Sequence, residues 1–348
     1  MKIRQAANTD EASWNEYIQT HNASSPYHLF AWKRAVESAY GHKAYYLIAE
    51  ESNRITGVLP LIHLKMPLLS GVLVALPYCD VGDVLAEDRE TGEKLIMEAV
   101  SLAQILKTKY IELRGQSQLS PFQDLNLPLT TQLHKVRMLL DLPRSAQELW
   151  DGFKSKLRSQ IRKAEKNGLQ FQWANLDDVD IFYDVFSRNM RDLGSPVHSR
   201  KWFYYVFKYF GENARTGMVY KDNVLIGAGV ILNTTKSICI PWASTLRAYN
   251  RFSPNMMLYW NFLKHAADNG YARFDFGRST PDESTYKFKA QWGAEPEPLY
   301  WHYLTSNHEM NFDAGPSITK EKIAQIWRKI PAPLANCLGP AIRKYISL

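Results

Sequence analysis

The chain has 348 residues, more than a single hydrophobic core usually accommodates, and this length predicts two domains of about 150 residues each. A hydrophobic content of 45% and a charged content of 22% are ordinary for a soluble globular protein. The three cysteines, Cys79, Cys239 and Cys337, lie far apart and without metal-ligand spacing, so we expect neither a metal site nor a disulfide framework. The first residues lack the apolar core of a signal peptide. The most apolar stretch, 68–79, is too short to span a bilayer, so we expect a cytoplasmic protein.

The net charge of +7 is partly concentrated in the segment 154–166, which contains six basic residues and one acidic residue. Two interpretations of this segment stay open. It is either the solvated face of a helix or a face that contacts an anion such as a nucleotide, a tRNA or an acidic lipid.

The first half of the chain alternates between the helical and the strand periodicity. It predicts an edge strand, a helix from Asp10, a helix over 27–39, strands over 45–49 and 54–64, a buried strand over 73–77, a helix over 95–107 and a strand over 110–114.

The second half predicts a similar series of elements. They are a long basic helix over 147–167 ended by Gly168, a strand over 169–173, helices over 179–192 and 201–210, hairpin strands over 217–220 and 224–232, a strand over 237–242, a helix over 255–268 and a strand over 272–276. Ser253 is a candidate N-cap of the last helix, with Pro254 at its first position. The tail, 320–348, is predicted to be helical, and it either docks on the second domain or makes a weak contact with a membrane surface.

Three anchors indicate that the second half repeats the first, at offsets of 163 to 170 residues. The matched pairs are Gly57 with Gly227, Pro77-Tyr78 with Pro241-Trp242, and Glu112 with Asp275. We therefore predict a mixed α/β (α+β) protein with tandem domains over 1–145 and 146–310 and a helical extension over 311–348. The order of elements resembles the GNAT (Gcn5-related N-acetyltransferase) fold. We expect the first domain to be degenerate and the second to hold the site.

The segments 274–277, 288–289 and 292–293 contain Asp-Phe-Gly, Phe-Lys and Trp-Gly in a pattern that resembles the FemAB (FemABX) aminoacyltransferases. That family has tandem GNAT-like domains and adds amino acids from aminoacyl-tRNA to peptidoglycan precursors. The segment 188–197 is similar to the FemAB-related subgroup associated with exosortase/PEP-CTERM and exopolysaccharide systems. Arg278 stands where the peptidoglycan enzymes commonly have a second glycine. The glycine-rich loop with which CoA-dependent GNAT enzymes hold pyrophosphate is missing from both halves.

The resemblance implies that Lys289 stabilises the tetrahedral oxyanion or the acyl donor, although a surface lysine on a strand shared with Lys287 is the alternative. Asp275 is a general base or a structural carboxylate that holds backbone N–H groups. Arg278 binds an anionic substrate group or pairs with a nearby aspartate. The remaining candidates for substrate contacts are Arg188, Asn189, Trp242, Asn255, Tyr286 and Phe288. Trp242 and Tyr78, at matched positions, are alternatively core rings.

The resulting hypothesis is an acyltransferase that modifies an amine or hydroxyl of a cell-envelope or exopolysaccharide precursor. Its donor would be aminoacyl-tRNA or acyl-CoA, bound as a substrate and not as a tightly bound cofactor. Its partners would be a small, lipid-linked or nucleotide-linked precursor, with tRNA and the inner membrane surface as further contacts and no DNA. Two alternatives stay open: a CoA-dependent N-acyltransferase acting on a sugar amine, and a non-catalytic pseudo-transferase that binds a precursor.

Overall fold

The computed structural model describes residues 1–65, 70–115, 125, 127–174, 178–305 and 318–348. The chain folds into two compact units. Unit 1 comprises Met1–Arg137, Glu297–Ala314 and Tyr345–Leu348, and unit 2 comprises Met138–Pro296 and Gly315–Lys344. The division into functional domains over 1–145, 146–310 and 311–348 stays a prediction, and its boundary at 310–311 lies outside the described residues. Within the described part of the chain, no helix has the length and apolar character needed to span a membrane.

The helices and strands follow the predicted alternation closely. The first half contains β1 (Lys2–Gln5), α1 (Glu11–Thr20), α2 (Phe30–Tyr40), β2 (Lys43–Glu51), β3 (Arg54–Leu64), β4 (Val72–Ala75), β5 (Leu85–Ala86), α3 (Arg89–Leu106), β6 (Tyr110–Gly115) and β7 (Leu129–Asp141). The second half contains α4 (Ala146–Gly152), α5 (Ser155–Lys166), β8 (Leu169–Ala174), α6 (Val179–Leu193), α7 (Arg200–Phe210), β9 (Ala214–Lys221), β10 (Val224–Asn233), β11 (Ser237–Thr245), α8 (Pro254–Asp268), β12 (Arg273–Ser279), α9 (Ser284–Ala290), β13 (Glu295–Thr305), α10 (Ile318–Lys329) and α11 (Ala332–Arg343).

Unit 1 is built on a sheet with the strand order β1-β2-β3-β4-β6-β13. Its neighbouring strands are antiparallel except for β4 and β6, which are parallel. The helix α3 covers this sheet and buries Leu95, Ile96 and Ala99 against strand residues such as Leu61 and Leu113. The side chain of Asp88 caps α3 by accepting from the N–H of Thr91 at 2.8 Å, so the helix begins earlier than the predicted residue 95.

Unit 2 repeats this plan with the strand order β12-β11-β10-β9-β8, in which only β11 and β12 are parallel. The helix α8 packs closely on the sheet. A Cβ on Gly217 would lie only 2.5 Å from a ring carbon of Phe262, so this strand position requires glycine. In each unit the matched carboxylate ends the parallel register, with Glu112 opposite Val74 and Asp275 opposite Cys239. The predicted tandem α/β architecture is therefore confirmed.

The local structure differs from the prediction at α4 and α5, at β7, which was not predicted, and at β13. The basic helix predicted over 147–167 is interrupted, because Phe153 and Lys154 are extended and separate α4 from α5. Phe153 is buried at this break, with its ring 5.7 Å from that of Trp292. The strand β13 was not predicted, because Pro296 and Pro298 lack an N–H and weaken the strand signal. They precede the six residues that pair with β6.

The tail forms two helices that dock within unit 2, which confirms the docking interpretation. Asn336 Nδ2 of α11 donates to Ser187 Oγ of α6 at 3.2 Å. Gly339 allows close contact, because a Cβ there would lie 2.9 Å from the backbone nitrogen of Val197. Pro331 separates the two helices, as predicted. The last residues, Tyr345–Leu348, belong to unit 1.

Because two histidines are buried, we expect the free energy of unfolding to decrease in mild acid. Burial lowers the pKa of His28 to about 3 and that of His198 well below its ordinary value. The unfolded chain protonates both rings below its pKa of about 6.5, whereas the folded chain keeps them neutral. The free energy of unfolding is therefore highest above a pH of about 6.5. Below that pH it decreases by about 1.4 kcal/mol per pH unit for each histidine.

Urea denaturation at pH 7, 6 and 5 measures this loss. The His28→Asn variant should show a shallower pH dependence than the natural chain, whatever its stability at pH 7. A free energy of unfolding that does not change over this pH range would contradict the prediction.

Candidate active site

The parallel strands of unit 2 are in register over three residue pairs, from Ser237 with Arg273 to Cys239 with Asp275. Beyond these pairs, β11 continues to Thr245 and β12 to Ser279. The register of β11 with β10 gains one residue between Cys239 and Trp242, which is a β-bulge that contains Pro241. A bulge bends its strand, and proline is tolerated there because it has no N–H to pair. We call the region framed by 240–245 and 276–279 the strand opening.

A compact group of contacts holds β12 at the strand opening. Gly277 has a φ of +73°, the left-handed conformation that favours glycine. Asp275 Oδ1 accepts from the N–H of Gly277 at 2.7 Å. Lys289 Nζ donates to the carbonyl oxygens of Gly277 at 3.1 Å and Arg278 at 2.7 Å. Asp275 and Lys289 are both buried, so the two charged groups hold one turn from its N–H and its C=O sides.

Lys289 reaches this turn because it lies on a helix, and the strand interpretation of its segment is wrong. Residues two apart on a helix point to nearly opposite sides. Lys287 is accordingly exposed while Lys289 is buried. Phe288 anchors α9 through its ring, which lies 4.9 Å from that of Tyr259 on α8. Tyr259 in turn stacks on Phe276 of β12 at 5.7 Å.

The other candidates lie at the β11 side of the opening or on its helices. Asn189 Nδ2 donates to Ser244 Oγ on β11 at 3.0 Å. Trp242 is buried, with its ring 5.1 Å from that of Phe203, which fits the core-ring alternative. Arg188 is exposed, whereas Asn255, Arg278, Tyr286 and Phe288 are half-buried. The structure thus gathers Asp275, Arg278 and Lys289 around Gly277, and the substrate-binding roles stay predictions.

Sequence reasoning did not single out Ser279, the last residue of β12. Its side chain is buried, and its Oγ has no hydrogen-bond partner among the described residues. A buried hydroxyl without a partner is costly, so it requires an explanation, and a bound ligand is one such explanation. The local sequence around Ser279 contains no signal of this, because burial depends on the surrounding elements.

The segment before α8 differs from the prediction in one respect. Pro254 occupies the first helical position as expected. Ser253 does not cap the helix with its side chain, because it has a φ of +64° and a left-handed backbone. A short 3₁₀ helix, Arg247–Phe252, precedes it, so the backbone here is not a glycine-rich phosphate loop.

The counterpart of the strand opening in unit 1 is filled by the chain itself. Arg114 stands 163 residues before Gly277, the offset that also relates Glu112 to Asp275. Its side chain is fully buried, forms an ion pair with Glu112 at 2.5 Å and donates to the carbonyl oxygen of Cys79 at 2.7 Å. Its backbone pairs with Gly82 in both directions.

The last residues of unit 1 complete this filling. The N–H of Tyr78 donates to the carbonyl oxygen of Ser347 at 2.6 Å. Ser347 Oγ donates to Glu112 Oε2 at 3.0 Å. The backbone N–H of Tyr78, three residues after the end of β4, therefore donates to a carbonyl of the same chain.

Comparison with known proteins supports the architecture. The acetyltransferase (GNAT) domain family matches residues 152–289. Among solved structures, FemX superposes with a TM-score of 0.70 at 13% identity, covering 87% of this chain and 97% of that protein. The C-terminal domain of a putative lysylphosphatidylglycerol synthetase from Agrobacterium fabrum gives 0.59 at 15% identity, covering 86% and 93%. A tandem GNAT protein from the clavulanic acid biosynthesis pathway gives 0.52 at 13% identity, covering 89% and 99%.

No curated protein matches the sequence. At these identities the structural likeness shows the fold alone, which is FemAB-like and built from GNAT domains. The match to residues 152–289 lies within unit 2 and contains the strand opening and Lys289. Residues 152–289 in the second unit thus match the acetyltransferase (GNAT) domain family, and the protein is an acyltransferase.

Proposed function

We propose that the strand opening of unit 2 binds an acyl donor and that the protein transfers the acyl group to an amine or hydroxyl of an envelope or exopolysaccharide precursor. The observation that carries this proposal is the turn at Gly277, held by Asp275 and Lys289 where β12 leaves its register with β11. Unit 1 is proposed to be degenerate, because Arg114 fills the matching position. The domain family found at 152–289 implies acyl-CoA as the donor.

The reaction is the attack of the acceptor nitrogen or oxygen on the thioester carbonyl carbon. A C–N or C–O bond forms, the C–S bond breaks, and the acceptor's proton passes to the departing thiolate, which leaves as the free thiol of CoA. We assign Asp275 and Lys289 to positioning, because both are engaged with the backbone of Gly277. Ser279 is the proposed donor to the oxygen that develops negative charge, and Arg278 is the proposed partner of an anionic group of the substrate.

Aminoacyl-tRNA is the second candidate donor, for which two observations speak. The segment 247–255 is not a glycine-rich loop, and Pro254 removes one N–H that a phosphate would accept from. The helix α5 buries Leu157, Ile161 and Ala164 and leaves most of its basic side chains exposed. Such a face would attract a polyanion.

Thermal shift distinguishes the donors, because a ligand stabilises the state that binds it, by about 2.7 kcal/mol at a concentration of 100 Kd. We expect acetyl-CoA and longer acyl-CoA thioesters to raise the melting temperature. Stabilisation by aminoacyl-tRNA, with deacylated tRNA and CoA as controls, would instead favour aminoacyl-tRNA as the donor of a FemAB-like reaction. No shift with any of these ligands would contradict donor binding altogether.

Turnover separates the enzyme from a precursor-binding pseudo-transferase. Thiol released from acyl-CoA in the presence of amino sugars, nucleotide-linked sugars or peptidoglycan precursors would identify the acceptor. A sugar amine as the best acceptor would favour the simpler N-acyltransferase. Membership of the exosortase/PEP-CTERM-associated subgroup and a peripheral position at the cytoplasmic membrane face are part of the proposal, because envelope precursors are assembled at that membrane.

A further inference from the structure

The helix α11 docks on unit 2 by its small residues and exposes its large ones, whereas α10 buries Trp327 and exposes Ile323 and Ile326. On α11, Ala335 and Gly339 are buried, whereas Leu334, Leu338 and Ile342 are 49%, 44% and 45% exposed. On α10, Ala324 approaches Gly194, whereas Ile323 and Ile326 are 56% and 64% exposed. Helices that dock on a globular core normally bury their large apolar residues, so the arrangement of α11 is reversed.

The exposed side chains of α11 form a continuous row, because they are spaced by four residues along one helix. We call Leu334, Leu338 and Ile342 the α11 stripe. Together with Ile323 and Ile326 they make up five of the fifteen large apolar side chains that are exposed among the described residues. Their concentration in two adjacent helices distinguishes them from scattered surface apolar residues, which need no explanation.

The charge of the segment that contains the α11 stripe indicates what kind of surface it would bind. The residues 320–344 contain six basic side chains and one acidic one. Lys322 and Lys329 are exposed, and Lys329 lies at the end of α10, close in sequence to the start of α11. A symmetric contact with a second copy would bring two basic segments together, and their charges would repel each other. An anionic bilayer accepts both the apolar row and the positive charge.

We propose that α10 and α11 form a membrane-contact surface that binds anionic phospholipid headgroups and inserts the α11 stripe into the interface. Helices of this kind lie in the plane of the bilayer with the apolar face buried. This inference rests on the proposed function, and it assigns the proposed peripheral position at the membrane to α10 and α11. Its assay requires no substrate, so a failure here and a failure of the proposed reaction are distinguishable.

Flotation of the full chain with phosphatidylcholine vesicles, with and without phosphatidylglycerol, tests the proposal. We expect binding to the anionic vesicles that weakens as salt is raised. The variant Leu334→Ser/Leu338→Ser/Ile342→Ser should bind about tenfold more weakly or worse, which corresponds to about 1.4 kcal/mol. The variant Lys322→Gln/Lys329→Gln should lose most of its preference for anionic vesicles.

The matched control is Ile105→Ser, since Ile105 is 76% exposed on α3 of unit 1 and should leave vesicle binding unchanged. Thermal melting of all variants verifies that they fold. Equal binding of the triple serine variant and the natural chain would overturn the proposal. A natural chain that binds neither kind of vesicle would also overturn it. The same holds for a concentration-dependent dimer that the triple serine variant abolishes.

Discussion

Replacement of Arg114 by methionine is expected to destabilise unit 1 by about 3–5 kcal/mol, because it leaves the carboxylate of Glu112 buried without its partner. Both side chains are almost completely buried, at 0% and 3% exposure. The substitution also removes the donor to the carbonyl oxygen of Cys79. Urea denaturation followed by tryptophan fluorescence measures the change in the free energy of unfolding.

Two further variants identify the cause. Lys94→Met breaks an exposed pair with Glu90 on α3 and should cost less than about 1 kcal/mol. The double variant Glu112→Gln/Arg114→Met removes both charges and should recover part of the stability lost by Arg114→Met alone. If Arg114→Met were no more harmful than Lys94→Met, the buried pair would not hold the filled position in unit 1.

The Lys289→Met variant should lower the rate of acyl transfer by about 100-fold in kcat/KM, because release of the Gly277 turn displaces Arg278 and Ser279, and a misplacement of about 1 Å has an effect of that size. Each lost charge-assisted hydrogen bond should also cost about 1.5–3 kcal/mol of stability. The activity is measured with the donor that stabilises the natural protein, and stability by thermal melting.

Lys287→Met is the matched control, since Lys287 lies on the same helix but is exposed, and its loss should change the rate little. Gly277→Ala should reproduce the loss of activity by a different route, because alanine is strained at a φ of +73°. If both variants were less stable and yet kept the kcat and KM of the natural protein, the turn would be structural and the site assignment would be wrong.

Local patterns were sufficient where an element and its turn are encoded by neighbouring residues. The strand predicted over 54–64 is observed as Arg54–Leu64, and it follows a two-residue turn in which Ser52 and Asn53 adopt positive φ, a conformation that asparagine tolerates well. The repeated spacing of Glu112 and Asp275 predicted the tandem fold correctly, because each carboxylate ends a parallel strand pair.

Non-local packing explains what these patterns missed. At the break between α4 and α5, Phe153 is buried against Trp292, more than 130 residues away. The reversed exposure of α11 could not be predicted, because an amphipathic sequence does not specify which of its faces the rest of the fold covers.

The order of residues alone was therefore enough to predict the two α/β repeats, the motif around Asp275 and Lys289, and the class of acyltransferase that this motif resembles. Only the tertiary structure showed that both charged groups hold the backbone of Gly277, and that Arg114 fills the same position in the other unit. The reason is that the partners of a buried charge come from elements that are distant in sequence. A short motif does not specify which of these elements will pack against it.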